Sequence, residues 1–219
     1  MKITAFDAAI FDMDGTLTDN MGLHAEAFVV FGRRYQLRTP PPEVAASLSG
    51  KRNREILPVL FERALSDDEI ERYAEEKERI YHGLMDGIAP VPGLLRLLDL
   101  LDAEGLSIGL ATSAPLINVE PMLRVLGVEG RFAALTLGHE VTHSKPAPDI
   151  FLEAARRLGR APERCLVFED AYSGVAAAKA AGMTCVALAT THSAEELRAN
   201  TAADLVVHDY DEFLSHAGV

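Results

Sequence analysis

In the stretch AAIFDMDGTLTDN, residues 8–20, Asp12 and Asp14 follow directly on the apolar run AAIF. Two acids aimed at one point, where a buried strand should end, suit phosphoryl transfer. A carboxylate at Asp12 can attack phosphorus and form an aspartyl phosphate, which splits one difficult displacement into two easier ones. A second acid at Asp14 can protonate the leaving oxygen and then deprotonate the attacking water, provided its backbone bends back over the site. Gly15 permits that bend. Further along, Thr112 and Ser113 end the apolar run in GLSIGLATS, Lys145 stands in the turn HSKPAPD, and Glu169 and Asp170 follow CLVF. Lys145 and the Thr112 hydroxyl would neutralise and orient the transferring oxygens. Magnesium wants hard oxygen ligands, and Asp12, Asp170 and a backbone carbonyl such as that of Asp14 could hold it.

Taken singly, each of these residues has an ordinary explanation. Asp-x-Asp-Gly occurs in turns, Asp170 could cap a helix, Thr112 could close a strand and Lys145 could be a solvated turn residue. What sets them apart is their joint position at the ends of successive predicted strands, because an open parallel sheet binds ligands beyond the carboxyl ends of its strands.

The elements that must position them follow from hydrophobic periodicity. Residues 93–104, 115–126, 149–158 and 171–181 read as helices, and the runs at 105–113, 133–137, 165–168, 184–188 and 205–207 read as strands. Strands alternating with helices predict a parallel sheet covered on both faces, an α/β Rossmann-like core. Residues 20–88 break the alternation: 21–35, 54–64 and 67–84 read as helices with no strand between them, and TPPP at 39–42 as a short turn. The expected organisation is a core of residues 1–19 and 89–219 with an all-α cap of residues 20–88. Proline and glycine in DGIAPVPG, residues 86–93, suit the second of a pair of hinge linkers.

The chain has 219 residues, is 48% hydrophobic and carries a formal net charge of −12, as expected for a soluble globular protein. Ten basic and 12 acidic residues fall within 20–88, which leaves 11 and 21 for the core. An acidic chain disfavours nucleic acid and anionic membrane as partners, and a phosphorylated substrate would need local compensation such as a divalent cation. No apolar run reaches membrane-span length and the start lacks a signal-peptide pattern, so the expected address is the cytoplasm. Cys165 and Cys185 form no metal-type pair and read as buried thiols.

FDMDGTLTD, LATSA, SKPAPDIF and FEDAYSGVAAAKAAGM resemble, in order and spacing, the four signature motifs of the haloacid dehalogenase-like hydrolases. The subgroup that the chain resembles contains β-phosphoglucomutase and related sugar-phosphate phosphatases. By position, the resemblance implies Asp12 as nucleophile, Asp14 as acid and base, Thr112 and Lys145 as phosphate binders, and Asp170 with Glu169 as the acidic metal pair. It also implies a helical cap inserted after the first strand. Dehalogenases of the family lack the second acid, so Asp14 speaks against dehalogenation.

A cap of this kind supplies substrate contacts. The candidates are Lys51 and Arg52 in LSGKRNREIL, Lys77 in EEKERIY, and His24 on the first cap helix, with Ser113 beside Thr112 on the core side. Positions three and four away from Lys77 hold Tyr73, Ala74, Ile80 and Tyr81, which leaves it without a helical partner and favours a site-facing role. The expected activity is magnesium-dependent hydrolysis of a small phosphomonoester, a sugar or polyol phosphate, by a monomer. Two rivals stand beside it: a hexose phosphate mutase and a non-catalytic protein that binds a phosphorylated ligand. Mutases of the subgroup commonly carry threonine where this chain has Asn20 and Gly-x-Ser-Arg where it has Gly50-Lys51-Arg52-Asn53, and both differences weaken the mutase reading.

Overall fold

All four residues of β1, Ala8–Phe11, are completely buried, and that burial on both faces places the strand at the centre of a sheet. The chain is described by a computed structural model covering residues 1–48 and 50–219, apart from the side chains of Pro42, Ala46 and Ser47. Ser49, within the basic stretch LSGKRNREIL, lies outside the described residues. After β1 come four helices in succession: α1 Met21–Arg34, α2 Pro42–Ser47, α3 Asn53–Leu60 and α4 Asp67–His82. Helix and strand then alternate through α5 Leu94–Ala103, β2 Ser107–Thr112, α6 Leu116–Val125, β3 Ala134–Leu137, α7 Asp149–Leu158, β4 Cys165–Glu169, α8 Tyr172–Ala180, β5 Thr184–Leu188, α9 Ala194–Asn200, β6 Leu205–Val207 and α10 Tyr210–Ala217.

The six strands form one sheet of order β3-β2-β1-β4-β5-β6. Every pairing in it is parallel. The chain winds outward from β1 through β2 to β3, then crosses back and winds the other way from β4. The order therefore reverses between β1 and β4, and a sheet of this kind opens a crevice there, at its carboxyl edge. Phe11 pairs with both Leu110 and Phe168, so Asp12 stands one residue beyond the ladder, level with Glu169.

Side chains alternate across β1. Ala9 and Phe11 enter a cluster with leucines of α5 and with Phe213 of α10, whereas Ala8 and Ile10 face Phe151 of α7 and Val175 of α8. The helices before α5 have a small core of their own, built on Phe31, Leu57 and Tyr73. Among the described residues no helix is long and apolar enough to cross a membrane, and both cysteines are free and buried.

Three helices were not anticipated. Pro42 opens α2, taking a first helical position where its missing N–H costs nothing, rather than a turn. Ser193 caps α9 by accepting from Glu196 N at 3.2 Å, and Asp209 caps α10 by accepting from Glu212 N at 2.8 Å. Conversely, α3 ends at Leu60 rather than at residue 64, and Glu62 leaves the helical region with φ of +51°.

Phe168 stacks on Phe11 at 4.8 Å between centroids and meets Phe213 edge-on at 5.0 Å. Phe168→Ala should lower unfolding stability by about 3–5 kcal/mol through the cavity it leaves. Urea denaturation checks this: the midpoint should fall with little change in slope.

Candidate active site

The sheet carries one more hydrogen bond past the end of β1: Asp12 N donates to Phe168 O at 3.0 Å. That bond delivers the Asp12 carboxylate to the crevice. The chain then turns at Gly15, with φ of +78°, and a Cβ at Gly15 would lie 2.1 Å from Asp170 Oδ2. Only glycine allows both the left-handed backbone and the approach of that carboxylate.

Lys145 is buried, and its Nζ donates to Asp12 Oδ1 at 2.6 Å and to Glu169 Oε1 at 2.7 Å. The other oxygen of Glu169 accepts from the backbone N–H groups of Asp170 and Ala171 at 2.7 and 2.6 Å. Gly174 makes room for this carboxylate, since a Cβ there would lie 1.7 Å from Oε1. Asp170 accepts from Thr16 Oγ1 at 3.1 Å and from Thr191 Oγ1.

Asp12, Glu169 and Asp170 offer ligand oxygens that all lie within 4.8 Å of one another. Burial pushes Asp12 up to about 7 despite Lys145, and neighbouring Glu169 and Asp14 add to the rise. Burial also pushes Asp170 well above the usual carboxylate range, with Glu169 and Asp12 as further causes. Buried and crowded hard oxygens with one nearby ammonium fit a divalent cation such as magnesium. Asp12, Glu169 and Asp170 are the side chains whose oxygens could hold it. The Asp14 carboxylate stands outside the cluster.

Asp14 turns the other way. Its Oδ1 accepts from Asn20 Nδ2 at 2.6 Å and lies 3.3 Å from His24 Nε2. Burial alone would raise it, yet His24, Asn20 and Lys77 together hold it below the usual range. His24 stacks on Tyr81 with ring centroids 3.9 Å apart, and its Nδ1 lies 2.8 Å from Lys77 Nζ. An ammonium there donates to Nδ1, which leaves the ring proton on Nε2, toward Asp14.

Lys77 is buried at 2% exposure and has a partner in its own neighbour: Nζ lies 3.1 Å from Glu78 Oε2. This corrects the expectation that it stands unpaired. Both side chains are drawn into the same buried wall, where an unpaired ammonium would be too costly, and the long lysine stem folds back to the adjacent carboxylate. Glu78 also accepts from Asn53 Nδ2 at 2.6 Å and from Asn118 Nδ2 at 2.8 Å.

A cavity of about 520 Å³ joins these groups, and Asp12, Asp14, His24, Lys51, Lys77, Thr112, Ser113, Glu169 and Asp170 all line it. Arg52 is not among the residues lining it: Nη1 donates to Gly138 O at 2.9 Å, which ties α3 to the loop after β3. Lys51 lines the wall 3.8 Å from Glu55. Ser113 Oγ donates to Gly50 O at 2.8 Å, and Ser144 Oγ to Glu55 Oε1 at 2.5 Å, so the helical segment rests on the sheet edge at several points. Glu78, Asn118 and Thr191 were not anticipated. Thr191 meets Asp170 across 21 positions and Asn118 meets Glu78 across 40, separations at which spacing carries no signal.

Magnesium at millimolar concentration should raise the melting temperature of the chain, because a ligand held only by the folded state stabilises it. In Asp170→Asn one buried carboxylate is neutralised, so the metal-free variant should melt higher than the unsubstituted chain while the magnesium-dependent rise disappears. Thermal unfolding with and without magnesium reads both effects.

A family model described as haloacid dehalogenase-like hydrolase matches residues 9–188. The chain is 35% identical over 181 residues to the phosphorylated carbohydrates phosphatase of Thermotoga maritima, a match covering 81% of this chain and 82% of the relative. It is 34% identical over 182 residues to the fructose-1-phosphate phosphatase of Escherichia coli, covering 81% and 93%. The solved β-phosphoglucomutase of Clostridium difficile superposes with a TM-score of 0.84 at 28% identity, covering 97% of this chain and 96% of the other. With the parallel sheet and the carboxylates at its edge, these matches make the chain a member of the haloacid dehalogenase-like hydrolase family and a phosphoric monoester hydrolase.

Proposed function

We propose that the chain is a magnesium-dependent phosphatase of small sugar or polyol phosphates, working through an aspartyl phosphate on Asp12. The observation that carries this reading is the Lys145 bridge. It fixes one oxygen of Asp12 at 2.6 Å and leaves the other without a partner among the described residues, in a cavity that Asp14 also lines. Residues 1–19 and 89–219 act as the catalytic core and residues 20–88 as the cap.

In the first step the free oxygen of Asp12 bonds to phosphorus, the bond to the leaving oxygen breaks, and Asp14 gives that oxygen its proton. In the second, Asp14 takes a proton from water, the water oxygen bonds to phosphorus, and the bond to Asp12 breaks to release phosphate. Contacts with His24 and Asn20 favour the ionised form of Asp14 that the second step needs. Lys145, the Thr112 hydroxyl and the adjacent Ser113 orient the phosphate oxygens. The carboxylates of Asp12 and Asp170, with the Asp14 carbonyl, would hold magnesium, which supplies positive charge against the phosphate oxygens. Lys51, Lys77 and His24 face the substrate from the cap side. The relatives named as phosphatases of phosphorylated carbohydrates and fructose 1-phosphate support this substrate class.

Asp12→Asn should abolish turnover and leave the fold intact, read by phosphate release and circular dichroism; retained activity would contradict the mechanism. Gly174→Ala, which forces Glu169 and with it Lys145 out of place, should lower kcat by on the order of 100-fold. With glucose 1-phosphate as substrate, release of free phosphate separates this activity from a mutase, which would yield glucose 6-phosphate instead.

A further inference from the structure

The cavity at the candidate site extends well beyond its carboxylates. One stripe of α1 lines it, from Met21 and His24 through Phe28 and Val29 to Gly32 and Arg33, and so does one stripe of α3, Asn53, Ile56 and Leu60. These are positions three, four, seven and eight apart, so each helix presents one face to the space between them. Each stripe carries a polar residue near the catalytic end, His24 on α1 and Asn53 on α3. His24 is 3.3 Å from Asp14, and Asn53 donates to Glu78 at 2.6 Å. Outward from there the walls turn apolar.

Met21, Phe28, Val29, Ile56 and Leu60 belong to none of the hydrophobic cores, although they line the same space. Val29 is 46% exposed. A sugar or polyol phosphate would fill the polar end and leave these side chains facing water. The cavity of about 520 Å³ lies within the range of roughly 300–1,000 Å³ usual for small-molecule and cofactor sites. At the outer rim stand Arg33 and Arg38, both exposed, whose planar guanidinium groups can lie against a flat ring.

We infer that the substrate is a phosphorylated sugar or polyol bearing an apolar, flat ring system, which the channel between α1 and α3 receives while the phosphate sits at Asp12. The inference rests on the phosphatase reading above and narrows its substrate class. Hydrophobic contact supplies the affinity in the channel, and the polar end fixes the register of the phosphate.

The test compares ribitol 5-phosphate with flavin mononucleotide. The two esters share the phosphorylated ribityl chain and differ in the ring system. The flavin ester should be hydrolysed with kcat/KM at least about tenfold higher, mainly through KM, since contacts remote from phosphorus act on binding. Leu60→Gln, at the outer end of α3, should erase most of that ratio, and Phe28→Ala provides a second variant, with circular dichroism reporting that each remains folded. Equal or lower kcat/KM for the flavin ester, or a ratio unmoved in both folded variants, overturns the channel's role and leaves the phosphatase reading standing. Absence of magnesium-dependent phosphate release from every phosphomonoester tried, glucose 1-phosphate included, overturns both.

Discussion

A buried ammonium stands between two carboxylates, and the arrangement of the site depends on it. Lys145 donates to Asp12 and to Glu169 at 2.6 and 2.7 Å, and its Nζ also lies 5.0 Å from the centre of the Phe151 ring. Burying three charged groups in this way carries a large desolvation cost, and removing one partner from such a buried set typically costs about 3–5 kcal/mol. The pull of both acids keeps Lys145 firmly protonated in spite of its burial. Each neighbour is then specified in turn: Glu169 must be held by two backbone N–H groups, Gly174 must lack a side chain, and Asp12 must end its strand level with Glu169. The reversal of strand order between β1 and β4 makes that alignment possible, because it sets the ends of two neighbouring strands at the mouth of the crevice.

The helices after β1 bring a second, separate set of charges to the same cavity. Asp14, His24, Lys77 and Glu78 form a chain of contacts that continues through Asn118 of α6 to His82 of α4. Asn118 lies on the sheet side, so this network depends on how the helical segment sits over the core. Thus Asp12 is positioned by the sheet and by Lys145, whereas the surroundings of Asp14 are completed by Asn20, α1 and α4. A chain that opened this contact would keep the Lys145 bridge and loosen the hold on Asp14.

Much of this was legible in the sequence because parallel sheets repeat a simple pattern. Buried strands read as apolar runs, and chemistry-bearing residues stand directly after them, as Asp12 does after Phe11 and Asp170 after Glu169. The helix at Asp149–Leu158 and the strands at Thr184–Leu188 and Leu205–Val207 fall where periodicity put them. What could not be read was direction. Arg52 has the charge of a substrate ligand, but its place beside Gly138 is set by where α3 crosses the loop after β3. Lys77 lacks a partner at helical spacing, and only its burial reveals why it turns to Glu78. α9 and α10 are short and amphipathic over barely two turns, too little for a periodic signal, although Ser193 and Glu196 do carry the spacing of a capping box.

The central claim is that Asp12 is the group that takes the phosphoryl. An acyl phosphate is reduced by borohydride, whereas a free carboxylate is not, so quenching the enzyme during turnover with borohydride converts a phosphorylated aspartate to homoserine. Peptide mass spectrometry after turnover of fructose 1-phosphate should find homoserine at position 12, dependent on both substrate and magnesium. An unmodified Asp12 in enzyme that is releasing phosphate, or homoserine at another aspartate, would contradict the account.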